Sequence, residues 1–491
     1  MEMSYQGGAE AESLLRPDQR NAVVMPTGPG NRRTDSGAEE KAPFLRNEPV
    51  KLTPAWEGSN LPNDTLNLKG IAMDLTPPKD RWHLIYITLL IHGLGTLTAW
   101  NMFITAKDYF TEFKLVGTAY AAMYMPYTGL AAQIPNFLFS WFNVFVKMGG
   151  DLTTRIVWSL SMEVLIFVFT IVMAMVDSSQ WPGAFFWLTI VSIFVLNGCN
   201  AIFQNSVFGV AARLPAQYTG AVVLGSNVCG TLVVLIEWAS SVIGGSKRTS
   251  AIYYFINGMF VLLICFDTYF ALPLNRFYRY HDTLQQRTLR VNPALAATGQ
   301  EQASKKTPYG TILKQSWVQL YNIWMVFFVS LAVFPSVHSD IKPITPGFLG
   351  SDFMRITCFL TFNLMAMIGN ITASLFPYPT RRWLSVFTTA RLVFIPFFLL
   401  CNYLPTDAVR TLPVLVNSDA AYWVGAALLG WSSGHGSSLG MMYVSGTVAP
   451  ENAATAGMLG GATLVTGITS GLIFAFFAPV PIATSPLWSR A

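Results

Sequence analysis

The chain has 491 residues, of which 52% are apolar, 14% aromatic and 12% charged; an average globular protein carries about 25% charged residues. Residues 1–80 hold 21 of the 57 charged residues, so the rest of the chain is poorer still in charge. Uncharged stretches of membrane-spanning length occur at 82–106, 178–212 and 356–380. This composition excludes an ordinary soluble enzyme, whereas the net charge of +5 says little about partners.

The first 81 residues have a composition of their own. They are rich in Gly, Pro, Asn, Glu and Arg without sustained apolar periodicity, which predicts a disordered cytosolic tail. No apolar segment near Met1 has the form of a signal peptide. Glu10, followed by Leu14 and Leu15, has the form of an acidic-dileucine signal that recruits endosomal sorting adaptors. A sorting adaptor is therefore one expected partner, and a coincidental match is the alternative.

Eleven apolar stretches beyond the tail are each long enough to cross the hydrocarbon core as a helix, because a span needs about 20 residues. They lie near 83–106, 117–146, 154–176, 183–212, 217–244, 251–275, 316–337, 350–377, 383–403, 421–446 and 453–480. The predicted fold is thus all-α and multi-pass, embedded in a lipid bilayer.

The distribution of Lys and Arg sets the predicted orientation. With the amino terminus in the cytosol, fifteen Lys and Arg residues lie inside and eight outside. The one long loop, cytosolic 276–315, separates a first bundle of six spans (82–275) from a second of five (316–491). This division suggests a binding site between two bundles.

Polar residues inside the first two predicted spans are candidates for function. Leu97, Trp100 and Ile104 share one face of the first span. A Trp there can anchor the core, lie at the lipid interface or stack on a planar ligand. Gln133 and Asn136 flank a proline in the second span, where their amides can repair the freed carbonyl or bind a ligand.

The fourth span is the most polar. Asn197, Asn200 and Gln204 fall on one helical face, with Asn205 and Ser206 beside them. An amide offers donors and an acceptor, which suits the mixed edge of a nucleobase. Interhelical hydrogen bonding is the alternative, but the density of polar residues favours a polar pathway.

Further polar residues are scattered through the other spans. Asn363 and Asn370 lie seven residues apart in the eighth span, and Arg391 lies in an apolar run of the ninth. Isolated ionisable residues are either proton-coupling groups or packing, ion-pair and membrane-edge residues; they are Glu163, Glu237, Asp267, His92 and His435. For the three acids an interhelical ion pair or a position near the membrane edge is favoured, and for the two histidines hydrogen-bonded packing is favoured.

No catalytic or cofactor motif is present in the sequence. GxSxG, HExxH and the phosphate-binding GxxxxGK[ST] are all missing. The five cysteines lie in apolar stretches without a CxxC pair, which argues against disulfides and zinc. We expect no enzyme, no cofactor, no metal and no nucleic-acid partner.

Four motifs carry a resemblance to a known family. GLGTLTAWNMFITA at 93–106, NAIFQNSVFG at 200–209, CFLTFN at 358–363 and RLVFIP at 391–396 resemble the equilibrative nucleoside transporters. Matches recur in order from about residue 78 to 480. The resemblance implies a major-facilitator-like fold of six helices against five, alternating access, and passive movement of nucleosides and sometimes nucleobases.

The resemblance also implies substrate-binding positions. Gln204 is expected to hydrogen-bond the base, and Trp100 with apolar neighbours is expected to enclose it. The full set is Leu97, Trp100, Ile104, Gln133, Asn136, Asn200, Gln204, Phe334, Asn363, Asn370 and Ile468. The family usually has an aspartate and an arginine where Ala366 and Asn370 stand here, so strong ribose contacts are missing and Asn370 is left as a hydroxyl partner.

Three alternatives to facilitative transport remain open at this level. A proton-coupled relative would use Glu237, Asp267 or His92, and an organic-cation relative would need an acid near Asn227, which is neutral. A non-transporting membrane receptor of the same fold is motivated by the missing ribose partners. The expected location is the plasma membrane, with endosomal or lysosomal membrane as the alternative.

Overall fold

The computed structural model describes residues 78–146, 151–284, 307–347, 349–350, 353–404 and 409–484. The predicted tail up to residue 77 lies outside these residues, and so do Glu10, Leu14 and Leu15. Disorder of the tail and the sorting signal therefore stay predictions.

The described chain is almost entirely helical, and a helix lies at each predicted span. The first six are α1 (Leu84–Thr105), α2 (Tyr120–Phe145), α3 (Leu152–Met175), α4 (Pro182–Ala211), α5 (Ala216–Gly244) and α6 (Lys247–Ala271). The other five are α7 (Tyr309–Val333), α8 (Thr361–Leu375), α9 (Leu384–Leu400), α10 (Asp419–Val444) and α11 (Ala453–Phe477).

Short elements join these helices. Helical turns occupy Arg81–His83, Lys107–Tyr109, Phe110–Lys114, Leu272–Leu274, Ser336–Ser339, Arg355–Leu360, Ser445–Thr447 and Pro450–Asn452. Two-residue strands β1 (Val409–Arg410) and β2 (Ala483–Thr484) pair antiparallel, with Val409 opposite Thr484. This small ribbon was not predicted from the sequence.

The predicted count of eleven membrane crossings is only partly supported. Eight helices of the described chain are long and apolar enough to cross a membrane, and α2, α9 and α10 are not among them. The reasons lie in composition and length: α2 contains Pro126 and Pro135, α10 is rich in Gly and Ser, and α9 is short. Eleven crossings therefore stay a prediction, while the multi-pass helical fold is confirmed.

Helix boundaries differ from the prediction where local chemistry sets them. α3 begins at Leu152 because the Asp151 side chain accepts a hydrogen bond from Thr154 N at 3.0 Å, which is an N-cap. α7 begins at Tyr309, earlier than the predicted 316. α9 is interrupted by a 3₁₀ turn at Arg391–Val393, because Pro396 has no N–H to donate to the carbonyl four residues earlier.

Glycines set the closest helix packing. A Cβ at Gly225 of α5 would lie 1.9 Å from the Leu90 carbonyl oxygen of α1, and one at Gly434 of α10 would lie 1.9 Å from that of Ala366 in α8. Neither contact leaves room for any side chain. The glycines within residues 430–440 therefore form a close-packing face, and α1–α5 and α8–α10 are among the tightest helix pairs.

The first six helices meet the last five through two sets of contacts. α11 packs against α2 and α4, and α5 packs against α8 and α10. The close approaches include Gly457 against Phe208 and Gly220 beside Met442, toward the end of the molecule where α11 begins. That end, predicted to be cytosolic, is closed by packed helices.

Candidate functional site

The polar face of α4 is buried in the centre of the molecule. Asn200 is 1% exposed and Gln204 is 3% exposed, because α4 is enclosed by α2, α3 and α11. The Asn200 Oδ1 atom has no hydrogen-bond partner among the described residues, and the Gln204 amide makes no hydrogen bond to them. Asn197 Nδ2 instead donates within its own helix, to Ile193 O at 2.9 Å, so this amide has a structural hydrogen bond.

The two predicted residues of α2, Gln133 and Asn136, lie along the contact between α2 and α4, which we call the seam. Asn205 Nδ2 donates to Ser140 O at 2.7 Å, and Asn143 Nδ2 donates to Ile202 O at 3.2 Å. Because α2 and α4 run parallel, this register places Asn136 at the level of Asn200. The oxygens Gln133 Oε1, Asn136 Oδ1 and Asn205 Oδ1 are buried and have no partner within the described chain.

These unpartnered oxygens define the chemistry of the seam. A buried acceptor without a donor costs about 1–3 kcal/mol, so four of them in two adjacent helices indicate that donors enter from outside the chain. Amide oxygens accept N–H and O–H donors. The site is therefore suited to a ligand with several N–H or O–H groups.

α11 completes this side of the site. Trp141 Nε1 of α2 donates to Thr466 Oγ1 of α11 at 2.9 Å. Ile468 lies two residues further along α11, half-buried and packed against the main apolar cluster. The structure thus brings predicted residues of α2, α4 and α11 into one region.

The predicted residues of α1 and α8 lie near α5. Leu97, Trp100 and Ile104 form a half-buried face of α1, as the sequence pattern predicts. Asn101 Nδ2 of the same helix donates to Cys229 Sγ at 3.7 Å. Across α5, a Cβ at Gly230 would lie 3.6 Å from Asn363 Oδ1. α1, α5 and α8 therefore form a second polar region.

Asn370 and Phe334 have partners of their own. Asn370 is fully buried and accepts a hydrogen bond from Ser438 Oγ at 2.8 Å, while its Nδ2 has no partner among described residues. Phe334 follows α7 and stacks on Phe362 with ring centroids 3.9 Å apart. Asn370 can still donate through Nδ2, so the structure leaves it one free group for a ligand.

Two buried arginines were not predicted as network residues. Arg155 is buried in the first turn of α3 and donates to Asn143 O and Oδ1, both at 2.9 Å. Arg391 donates to Ser432 Oγ at 3.0 Å and to Ser330 Oγ at 2.7 Å. For Arg391 the sequence signal was a charge within an apolar run, and for Arg155 no such signal was present.

The isolated ionisable residues differ in whether they have hydrogen-bond partners. His435 contacts Thr372 Oγ1 at 3.0 Å and Tyr378 O at 2.6 Å, which confirms a packing histidine. Glu163 is fully buried, and neither of its oxygens has a partner in the described chain, so the ion-pair and membrane-edge interpretations fail for it. Neither ring nitrogen of His92 has a described hydrogen-bond partner either.

Metal-binding chemistry finds no support in the described residues. They contain no group of three or more His, Cys, Asp or Glu able to hold a metal ion. All five cysteines are buried with free thiols.

The fold defines the class of this protein. The structure of the proton:xylose symporter XylE, of the major facilitator superfamily, matches with a TM-score of 0.55 at 10% identity, covering 82% of this chain and 90% of that one. A bacterial ferroportin homologue in an outward-facing state matches with a TM-score of 0.50 at 13% identity, covering 81% and 92%. The chain is a multi-pass membrane protein whose fold resembles that of the major facilitator structures.

Sequence comparison narrows the class to one family. The model of the family described as "Nucleoside transporter" matches residues 190–480. Equilibrative nucleoside transporter 2 of Mus musculus is 30% identical, covering 81% of this chain and 97% of that protein, and equilibrative nucleoside transporter 1 of Homo sapiens is 28% identical with the same coverage. Equilibrative nucleoside transporter 4 of Danio rerio is 26% identical, covering 84% and 86%.

The chain belongs to the nucleoside transporter family, as the four sequence motifs indicated. The alignment with the mouse relative covers nearly the whole of that protein, so the match includes both sets of helices.

Proposed function

We propose that this chain carries nucleosides, and nucleobases as smaller substrates, across a membrane down their gradient by alternating access. Its relatives are named equilibrative nucleoside transporters, and its fold is that of the major facilitator transporters. The observation that carries the site assignment is the set of buried, unpartnered amide oxygens on α2 and α4.

Nucleosides have the donors that this seam needs. Ribose carries hydroxyl groups, and the bases carry ring or exocyclic N–H groups, so one molecule can satisfy several amide oxygens. In this proposal Asn200 and Gln204 contact the base, and Gln133 and Asn136 contact the adjoining donors. No catalytic step is required of any of these residues.

The other predicted residues enclose the substrate. Leu97, Trp100 and Ile104 offer an apolar and aromatic wall, which suits the flat face of a base. Asn363 lies across α5 from this wall, and the free Nδ2 of Asn370 donates to a ribose hydroxyl. Phe334, after α7, and Ile468 of α11 add apolar surface from the second bundle.

The two-bundle division belongs to the same proposal. Residues 82–275 and 316–491 rock against each other about the contacts that α11 makes with α2 and α4, and α5 with α8 and α10. In this proposal the end closed by packed helices faces the cytosol, and the described conformation is the outward-facing one. We place the protein in the plasma membrane, with a sorting adaptor at Glu10, Leu14 and Leu15 directing its traffic to endosomes.

The test is saturable uptake of radiolabelled adenosine and uridine in transporter-deficient cells, with surface protein measured in parallel. Gln204→Ala and Asn200→Leu remove proposed hydrogen bonds of about 1.4 kcal/mol each, which raises KM about tenfold. The matched control is Asn257→Leu, since Asn257 of α6 is exposed and donates only to its own helix at Tyr253 O. Unchanged KM in both site variants would refute the assignment.

Binding without flux would refute transport itself. If the wild-type protein reached the surface and bound adenosine but carried none across, the receptor alternative would replace this proposal. Uptake that followed an imposed proton gradient would replace facilitative with coupled transport.

A further inference from the structure

A cavity of about 440 Å³ lies where the α1–α2, α3–α4 and α5–α6 connections meet. This volume falls within the range of about 300–1,000 Å³ that is typical of small-molecule sites. Phe113, Val116 and Val176 give it apolar surface, and its charged groups are Lys114, Asp177 and Arg248. All three connections lie at the predicted outer end, and none of the cavity residues belongs to the proposed substrate site.

Lys114 is a fixed positive charge at this cavity. Its Nζ donates to Met173 O at 3.1 Å and to Val176 O at 2.6 Å, at the carboxyl end of α3. The same atom lies 5.3 Å from the ring centroid of Phe185. An ammonium has three donors, so the two carbonyls leave one available. Burial, and then the charge of Arg248, lowers the pKa of Lys114, while Asp177 acts in the opposite direction.

Arg248 is a second positive charge with unused donors. It makes no hydrogen bond or ion pair with the described residues, although it lines the cavity near Lys114 and Asp177. The preceding residue behaves differently, because Lys247 Nζ lies 2.9 Å from Glu112 Oε2. Lys247 is therefore neutralised by a neighbour, and Arg248 is not.

Asp177 is the one carboxylate among the described residues that line the cavity. Its Oδ1 accepts from Ser179 N at 3.0 Å, and this bond is the main reason that the pKa of Asp177 is lowered; Lys114 and Arg248 add smaller effects. With two cations against one anion, the wall carries a net positive charge. Its serine and threonine hydroxyls add neutral donors.

We propose that this cavity binds a phosphate group joined to an apolar or planar body, with Arg248 as its main contact. A guanidinium presents a planar set of donors that matches phosphate oxygens in pairs. Lys114 supplies a second, immobile charge, and Phe113 and Val116 receive the rest of the ligand. Two sources have this chemistry: the headgroup of a phospholipid of the outer leaflet, and a soluble nucleotide.

The experiment is calorimetric binding to the purified full-length protein, with AMP and dioctanoyl phosphatidylglycerol as the two probes. Saturating adenosine is present throughout, so that the proposed transport site is occupied. Arg248→Gln is expected to weaken binding of the recognised probe about tenfold. The matched control Lys247→Gln removes one charge from the adjacent, ion-paired position and is expected to change affinity less than twofold.

A variant that is expected to raise affinity distinguishes loss of a ligand contact from a folding defect. Asp177→Asn keeps the acceptor for Ser179 N but removes the negative charge, so affinity for the phosphate probe is expected to rise severalfold. Binding of AMP alone would identify a nucleotide site, and binding of the lipid alone a headgroup site. Failure of both probes to bind, or equal losses in Arg248→Gln and Lys247→Gln, would overturn the proposal.

Discussion

Replacement of Gly457 by Ala tests the closed end of the molecule. A Cβ at this position would lie 2.6 Å from both the Cβ of Ala212 and the carbonyl oxygen of Phe208. Ordinary contact begins at 3.4 Å, so α11 and α4 must separate by about 0.8 Å at this point. Overpacking of this kind costs about 1–3 kcal/mol, and Ala recovers about 1 kcal/mol through its higher helix propensity.

Gly129→Ala supplies the control, because nothing lies within 4 Å of a Cβ built on Gly129 in α2. The Gly129→Ala variant gains helix propensity without creating a clash. We therefore expect the thermal midpoint of detergent-purified Gly457→Ala to fall below that of the wild type, and that of Gly129→Ala to stay level or rise. Equal midpoints for the two variants would show that α4 and α11 do not meet as closely as described.

The same substitution shifts the transport cycle. A clash worth 1.4 kcal/mol changes the ratio of two conformations about tenfold, and this clash exists only while the predicted cytosolic end is closed. Gly457→Ala is therefore expected to increase maleimide labelling of a cysteine placed at Ala453, with the reagent added on the predicted cytosolic side. Labelling no faster than in Gly129→Ala would contradict the proposed closure.

Three further predictions concern buried polar groups, each measured as the shift in thermal midpoint of the purified protein. Arg391→Lys keeps the charge but cannot reproduce the bonds to Ser330 and Ser432, so a loss of roughly 2–3 kcal/mol is expected; an unchanged midpoint would contradict the network. Trp141→Phe removes the bond to Thr466 and should cost about 1 kcal/mol. Glu163→Leu removes two buried, unpartnered oxygens and should raise the midpoint; a marked fall would show that Glu163 has an unrecognised role.

Much of the helical architecture could be predicted from apolar length alone. The long uncharged runs place α1 and α4 to within a few residues, because a bilayer requires continuous apolar helices. The helix boundaries were harder to predict, since they depend on caps such as Asp151 and on the break before Pro396. The ribbon β1–β2 has only two residues in each strand and carries no periodic signal.

The polar networks show why the site could be predicted only in outline. The spacing of Asn197, Asn200 and Gln204 correctly indicated one polar face on α4. It could not show that Asn197 bonds within its own helix while Asn200 keeps a free acceptor, because that depends on the register of α2. The contact between Arg155 and Asn143 could not be predicted either, because the two residues are twelve positions apart on different helices.

The most direct test of facilitative transport uses the purified protein in sealed proteoliposomes with radiolabelled uridine. The account predicts saturable entry that stops when internal and external uridine concentrations are equal, with or without an imposed proton gradient, and slower entry in Gln204→Ala at low uridine concentration. Accumulation above the external concentration under a proton gradient, or an absence of entry by protein that still binds uridine, would contradict it.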